Sequence, residues 1–307
     1  MLFQDLILQT ESELEEAFNR LFELANKNKI HPGDLLLAME GAFLSEEEDF
    51  ENPGTKELMQ YYNIGDDMAG YCETTNYKFI AHYGNSADVA SFEDYKKAVN
   101  LGIEADTELK DVTVAEELTI QIEMLIYIKI WEGETFLKKF YQLVRLVEGK
   151  GYDWHCSING FGKAKPGSFS RRELLEQIKT GLKEYLPALS KGFEECHFPQ
   201  IRNAISHSQY AILGRSISFN NFEPDKDGSR HGVSFEEWTL IFHKTMAIFH
   251  LYTKLLRRIR QYCYDSSAEF RYKKEIQVVR HFPKARTFYV VLYTRPHYMD
   301  WSPYQGG

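Results

Sequence analysis

The chain has 307 residues, 43% of them apolar and 14% aromatic, enough to bury a sizeable core, which excludes a disordered protein. Its 9 Pro and 20 Gly follow no period, which excludes collagen-like, solenoid and low-complexity organisation. The formal net charge of -9 conceals an asymmetry: residues 1–112 carry 24 acidic and 8 basic side chains, 113–250 carry 17 of each, and 251–307 carry 11 basic against 4 acidic. Such a basic tail is suited to an anionic partner. Solvated acidic helix faces and an ordinary basic hairpin account for the same counts equally well.

Taken in chain order, the sequence reads as mainly α. Helix starts are marked by Ser or Thr followed three residues later by a carboxylate, the pattern in which hydroxyl and carboxylate satisfy free amides reciprocally: Thr10/Glu13, Ser91/Asp94, Thr113/Glu116, Ser170/Glu173 and Ser234/Glu237. A first helix is expected over 11–28, with Leu14, Phe18, Leu21, Phe22 and Leu24 on one face. Residues 45–112 are acidic and glycine-punctuated, with short helices near 55–62 and 91–100, so 1–112 reads as an acidic, mostly helical accessory unit.

From Thr113 the periodicity strengthens into a long helix, about 114–148, carrying Leu118, Ile122, Leu125, Ile126, Ile130, Phe136, Phe140, Leu143 and Val147 and stopping at Gly149-Lys150-Gly151. Ser170 opens a helix that Pro187 closes, and a further helical segment covers 189–209 with Phe193, Phe198, Ile201 and Ile205. Ser216 to Phe219 alternates as a strand, a polar turn follows through Pro224 to Gly228, and Ser234 caps a last helix over 235–263. The tail, 266–307, contains two alternating runs, Ile276 to His281 and Thr287 to Tyr293, separated by Pro283, which read as a short β hairpin edged with Lys and Arg.

The most apolar stretch, Thr239 to Tyr252, is interrupted by His243, Lys244 and His250, so no membrane span is expected. Met1 to Thr10 contains Asp5 and lacks a basic n-region and a cleavage site, and the expected location is cytoplasmic. Cys72, Cys156, Cys196 and Cys263 form no C-x-x-C pair and read as buried thiols. The sharper alternative joins His155-Cys156 to Cys196-His197 as a four-ligand zinc site, against which stand adjacent ligands and the lack of knuckle spacing. His231, His243, His250, His281 and His297 show no metal spacing, and His243 and His250 read as packing residues of the last helix. Glu46-Glu47-Glu48-Asp49 reads as a solvated face. Gly-rich phosphate loops, H-E-x-x-H and G-x-S-x-G are absent from the sequence, and neither cofactor nor metal is expected.

The segment Phe198-Pro199-Gln200-Ile201-Arg202-Asn203-Ala204-Ile205-Ser206-His207-Ser208-Gln209-Tyr210 contains Arg-x4-His with Asn directly after the Arg. With the apolar helix before it, the strand and turn after it and the closing amphipathic helix, this resembles the signature of the HEPN superfamily over roughly 113–265. The resemblance implies a HEPN-like helical bundle and a metal-independent endoribonuclease, a toxin or antiviral defence effector that cleaves RNA. Its catalytic residues would be Arg202, Asn203 and His207.

Those residue types suit the chemistry. Cleavage without metal needs a base for the ribose 2′-hydroxyl, an acid for the departing 5′-oxygen and a cation for the phosphorane charge. Imidazole at His207 takes up and returns a proton near neutral pH, and Arg202 offers a fork of donors that matches phosphate oxygens. Asn203, four residues before His207, is placed to orient the imidazole or a phosphate. Five residues at 100° each put Arg202 and His207 about 140° apart on an ideal helix, so one motif makes a poor site. The family faces two motifs across a dimer, which implies a homodimer here, with a regulatory protein or antitoxin as a further partner. Substrate contacts are expected from Ser206, Ser208 and Tyr210, and phosphate contacts from Arg271, Lys273, Lys274, Arg280, Lys284 and Arg286 of the tail. Two alternatives stand beside this. Arg202 would be a salt-bridging residue near a helix end with His207 capping the helix C-terminus, and the chain would be a non-catalytic dimerisation, nucleic-acid-binding or protein-interaction module.

Overall fold

The computed structural model describes residues 2–44, 62–64, 68–85, 91–102, 108–158, 168–224, 226, 228–270, 273–281, 287–295 and 300–303. The chain is mainly α. In order, the helices are α1 (Gln4–Asn28), α2 (Asp34–Glu40), α3 (Met68–Gly84), α4 (Phe92–Gly102), α5 (Glu108–Trp131), α6 (Glu134–Val147), α7 (Arg171–Tyr185), α8 (Pro187–Cys196), α9 (Pro199–Ser206) and α10 (Phe235–Ser266). Two-residue strands β1 (Phe43–Leu44) and β2 (Tyr62–Asn63) pair antiparallel, and β3 (Ser157–Ile158) and β4 (Ser168–Phe169) pair parallel. A three-stranded antiparallel sheet holds β5 (Tyr210–Leu213), β6 (Ser216–Phe219) and β7 (Gly232–Ser234). The tail forms β8 (Ala268–Phe270), β9 (Lys273–His281), β10 (Thr287–Arg295) and β11 (Asp300–Pro303).

Backbone contacts group the chain into two units, one of Met1–Glu16, Thr75–Gly133 and Ala188–Leu251, the other of Ala17–Thr74, Glu134–Pro187 and Tyr252–Gly307. This differs from the three consecutive segments expected from composition. Residues 1–112 supply helices to both units, and 113–265 is divided between them. Charge composition follows solvent-facing side chains, whereas units are set by which apolar faces meet.

Three of the five expected helix starts stand. Ser170 makes the full capping box, its Oγ accepting from the Glu173 N–H at 3.2 Å and the Glu173 carboxylate accepting from the Ser170 N–H at 2.7 Å. Ser91 and Ser234 accept from the amides of Asp94 and Glu237. Thr10 and Thr113 instead lie inside α1 and α5. The Thr10 hydroxyl donates to the Leu6 carbonyl at 2.8 Å, the way a helix interior accommodates threonine. The helix expected near 55–62 lies outside the described residues, apart from Tyr62.

The long helix expected over 114–148 is two helices, broken at Glu132-Gly133. Glycine in a helix interior costs about 1 kcal/mol relative to alanine, and here the Gly133 N–H turns back to the Ile130 carbonyl at 3.1 Å, closing α5. The apolar positions also divide. Ile126, Ile130, Phe136, Phe140, Leu143 and Val147 are buried, whereas Leu118, Ile122 and Leu125 are 60%, 43% and 49% exposed.

In the first unit, Tyr127 and Trp131 of α5 pack with Phe193 of α8 and Trp238 of α10. The wholly buried Glu123 carboxylate accepts from the Tyr83 hydroxyl at 3.0 Å and the Trp238 indole at 2.8 Å, and burial raises its pKa. In the second unit, α6 packs on α7, and α2 is buried at every position and ended by Gly41, whose φ of 69° is left-handed. The tail there is more than the expected hairpin: β9 and β10 pair with Val278 opposite Val290, and β8 and β11 extend them to four antiparallel strands.

His243, fully buried in α10, ties the start of α1 into the first unit. Its Nε2 accepts the Phe3 N–H at 2.7 Å, and Nδ1 lies 2.7 Å from the Thr239 carbonyl, so Nδ1 carries the proton of a neutral ring. Burial pushes its pKa down from 6.5 to about 4, against the Thr239 carbonyl. The unfolded chain therefore takes up this proton first as pH falls. Its contribution is complete above about pH 6.5 and is lost progressively toward pH 4, by at most roughly 3 kcal/mol. Urea midpoints should fall across that window, and His243→Gln should flatten this part of the slope.

Candidate active site

The segment expected as one helix over 189–209 is two, α8 and α9, with Pro199 at the first position of α9. Proline disfavours helical backbone at the residue before it, and Phe198 is extended, φ -114° and ψ 111°. No side chain of Phe198 caps the helix. The turn is held from α5: the buried Tyr127 hydroxyl donates to the Cys196 carbonyl at 3.0 Å and accepts the Phe198 N–H at 3.1 Å. Burial raises the Tyr127 pKa, so the hydroxyl keeps its proton for the first of these bonds.

The end of α9 explains where His207 points from. The Ser208 N–H bonds the Ile205 carbonyl at 3.2 Å and the Gln209 N–H bonds the Ala204 carbonyl at 2.7 Å, with Ser208 left-handed at φ 53°. These are the two bonds of a Schellman motif, with His207 at the C-cap and serine where glycine is usual. His207 therefore terminates the helix, and the 140° separation expected from an ideal wheel does not apply to it.

Arg202 lies in α9 with its side chain 22% exposed. Nη1 donates to Glu132 Oε1 at 2.7 Å and Nη2 to Asn203 Oδ1 at 2.5 Å. Its Nε is buried with no hydrogen-bond partner among the described residues. Asn203 thus orients the guanidinium; toward His207 it offers only its backbone carbonyl, which takes the His207 N–H at 3.0 Å. His207 is exposed, as are Ser206 and Ser208, and Tyr210 is half-buried at the start of β5, opposite Phe219. Arg202 makes the ion pair that the non-catalytic alternative assigns to it, while His207 holds the C-cap position through its backbone N–H and leaves its imidazole exposed.

Glu132 was not singled out by sequence. It closes α5 just before Gly133, and an acidic residue interrupting an apolar period before glycine is its local sign, but nothing in the spacing connects positions 132 and 202. A second anchor holds the hairpin that follows His207. Arg215, in the β5–β6 turn, donates to Glu116 at 2.6 Å, to the Tyr95 hydroxyl at 2.7 Å and to Glu236 at 3.0 Å, while the Tyr95 hydroxyl donates to Glu116 at 2.6 Å. Burial acts against the Arg215 charge, the hydrogen bonds to Glu116, Tyr95 and Glu236 outweigh it, and its pKa is raised.

The expected phosphate-contacting tail belongs to the second unit and the motif to the first. Arg271, Lys284 and Arg286 lie outside the described residues, and Lys273 and Arg280 are placed in β9. The Lys274 ammonium stands 5.5 Å from the Tyr264 ring centre. Among the described residues no group of three or more His, Cys, Asp and Glu is arranged to hold a metal ion; of the zinc alternative, His155 and Cys156 belong to the second unit and Cys196 and His197 to the first. Cys156, Cys196 and Cys263 are buried and Cys72 is exposed. Burial pushes the Cys156 and Cys263 thiols up to about 12, and the Cys196 thiol donates to the Gly192 carbonyl at 3.1 Å.

Ser208 carries a left-handed strain that glycine avoids, so Ser208→Gly should stabilise the fold by about 0.5–1 kcal/mol, read from urea midpoints. Compared with known proteins, no family model, no curated protein and no solved structure matches the chain.

Proposed function

We propose that the chain is a metal-independent endoribonuclease of HEPN type whose active site forms between two copies. The observation that carries this reading is the pairing, on one eight-residue helix, of a guanidinium fixed in place by Glu132 and Asn203 with an exposed imidazole at the helix end. In the proposed reaction the ribose 2′-oxygen attacks the adjacent phosphorus and the bond to the 5′-oxygen breaks, leaving a 2′,3′-cyclic phosphate and a 5′-hydroxyl. The His207 of one copy takes the 2′-hydroxyl proton and that of the other supplies the proton to the leaving oxygen. Arg202 meets the charge that builds on the non-bridging oxygens. The 2′-hydroxyl is the nucleophile, so DNA is not cut.

A second copy is supported by the exposed apolar stripe Leu118, Ile122 and Leu125, spaced four and three residues apart on α5, the helix that ends at the Arg202 partner Glu132. A non-catalytic module is the second reading, and the Arg202–Glu132 ion pair favours it, because that pair gives Arg202 a place in the fold without any substrate. The proposed biological role is that of a toxin or defence effector acting on RNA.

Purified protein incubated with labelled RNA in EDTA should cut it to cyclic-phosphate ends, and His207→Ala should slow cutting by a factor on the order of 10² to 10⁴. RNA left whole by the wild-type protein, or cut equally by His207→Ala, favours the module. In light scattering the wild-type chain should exceed its monomer mass of 35.9 kDa. Ile122→Lys, at an exposed position, should return it to the monomer with its helical circular dichroism unchanged.

A further inference from the structure

A loop is fastened along the motif helix at both of its ends. At the start of α9, the Gln200 side chain donates to the Arg230 carbonyl at 2.8 Å and accepts the Arg230 N–H at 2.9 Å, while Asn221 Nδ2 donates to the Gln200 carbonyl at 3.0 Å. Just past His207, the Gln209 carbonyl accepts the Asn220 N–H at 2.9 Å. Residues 220–222 and 229–231 therefore run beside the segment from Gln200 to Gln209 that carries Arg202 and His207.

This loop presents a pair of stacked rings. Phe222 and His231 lie with ring centres 3.6 Å apart and planes at 29°. Phe222 is half-buried and His231 is exposed, so the imidazole has one face on the phenyl ring and the residue open to solvent. The backbone beneath the pair is fixed, because the His231 carbonyl accepts the Phe219 N–H at 2.8 Å. The neighbouring Arg230 guanidinium is itself held, 4.8 Å from the Phe198 ring centre and paired with Glu237. Two rings stacked in advance, on backbone fastened beside them, have already given up the rotamer freedom that a base-binding platform must lose, and a nucleobase adds a third ring to such a stack.

We infer that Phe222 and His231 form a nucleobase-stacking platform beside the Arg202–His207 motif, which takes an unpaired base and so directs the site to single-stranded RNA. Bases inside a duplex are stacked on their neighbours and do not offer a free face, so unpaired segments are favoured. The choice of RNA rests on the ribonuclease reading; the platform itself rests on the ring pair and its fastening to Gln200 and Gln209.

The test uses the full chain carrying His207→Ala, so that RNA stays whole, and a fluorescent single-stranded oligoribonucleotide of about ten nucleotides. Binding is read by anisotropy, with an otherwise identical strand of abasic nucleotides as the comparison. Adding His231→Ala should weaken binding of the base-bearing strand roughly ten-fold, Phe222→Leu should weaken it as well, and His231→Trp should retain it. The abasic strand should bind weakly and equally to all of them. His231→Ala keeps the backbone bond to Phe219, and an unchanged thermal midpoint identifies the loss as one of stacking. Equal binding of the two strands, or full affinity in His231→Ala, overturns the platform. Wild-type protein that cuts RNA while His231→Ala binds normally removes the platform and leaves the ribonuclease reading. The expected binding pattern in a protein that does not cut removes the catalytic reading and leaves the platform.

Discussion

The geometry of the motif depends on one buried hydroxyl. Tyr127 lies near the C-terminal end of α5, and its OH is the only part of the side chain that requires a polar partner. It finds two, the Cys196 carbonyl as acceptor and the Phe198 amide as donor, on either side of the bend between α8 and α9. An unsatisfied buried polar group costs roughly 1–3 kcal/mol, so the bend is held at the one place where all three groups are paired. From there α9 sets out already placed against α5, and Arg202, one turn in, reaches Glu132 at the end of the same helix. The β5–β6 hairpin after His207 returns to α5 a third time through Arg215 and Glu116. One helix thus sets the entry, the guanidinium and the exit of the motif.

Features decided within a few residues were readable in sequence. Ser170 with Glu173, Ser234 before α10 and the alternating runs of β9 and β10 each declare themselves locally, and each is found where the pattern puts it. Features decided by competition were not. Gly133 and the glycine-rich 149–151 are both credible stops; the structure uses the first to end α5 and reaches the second only after a new helix, α6. Ser208 adopts a backbone that sequence rules reserve for glycine or asparagine, so the end of α9 carried no visible mark. Leu118, Ile122 and Leu125 keep strict helical spacing, and spacing alone does not distinguish a core face from an exposed one.

The candidate site was legible in its residue types and not in its partners. Arg202, Asn203 and His207 stand in one short segment, and the chemistry each suits follows from its side chain. Glu132 is seventy positions away from Arg202, and Glu116 about a hundred from Arg215, distances over which a single sequence holds no trace of contact. The role given to Asn203 changed for the same reason. Helical spacing places it near His207, but a guanidinium one residue away already claims its side-chain oxygen.

The Arg202–Glu132 pair has an electrostatic consequence for any anion that comes to α9. A free arginine on a surface meets a phosphate by exchanging small ions with the solution, and each such exchange makes affinity depend on salt. Arg202 carries its own tethered counterion. An anion that takes the Nη1 donor now given to Glu132 displaces that carboxylate, which stays attached to the chain. That contact gains less free energy than its charge suggests, because a carboxylate must first be turned out toward water. For the proposed RNA substrate the ion pair would act as a threshold, one that a weakly held anion leaves closed and that a strand anchored by further contacts along the helix would open.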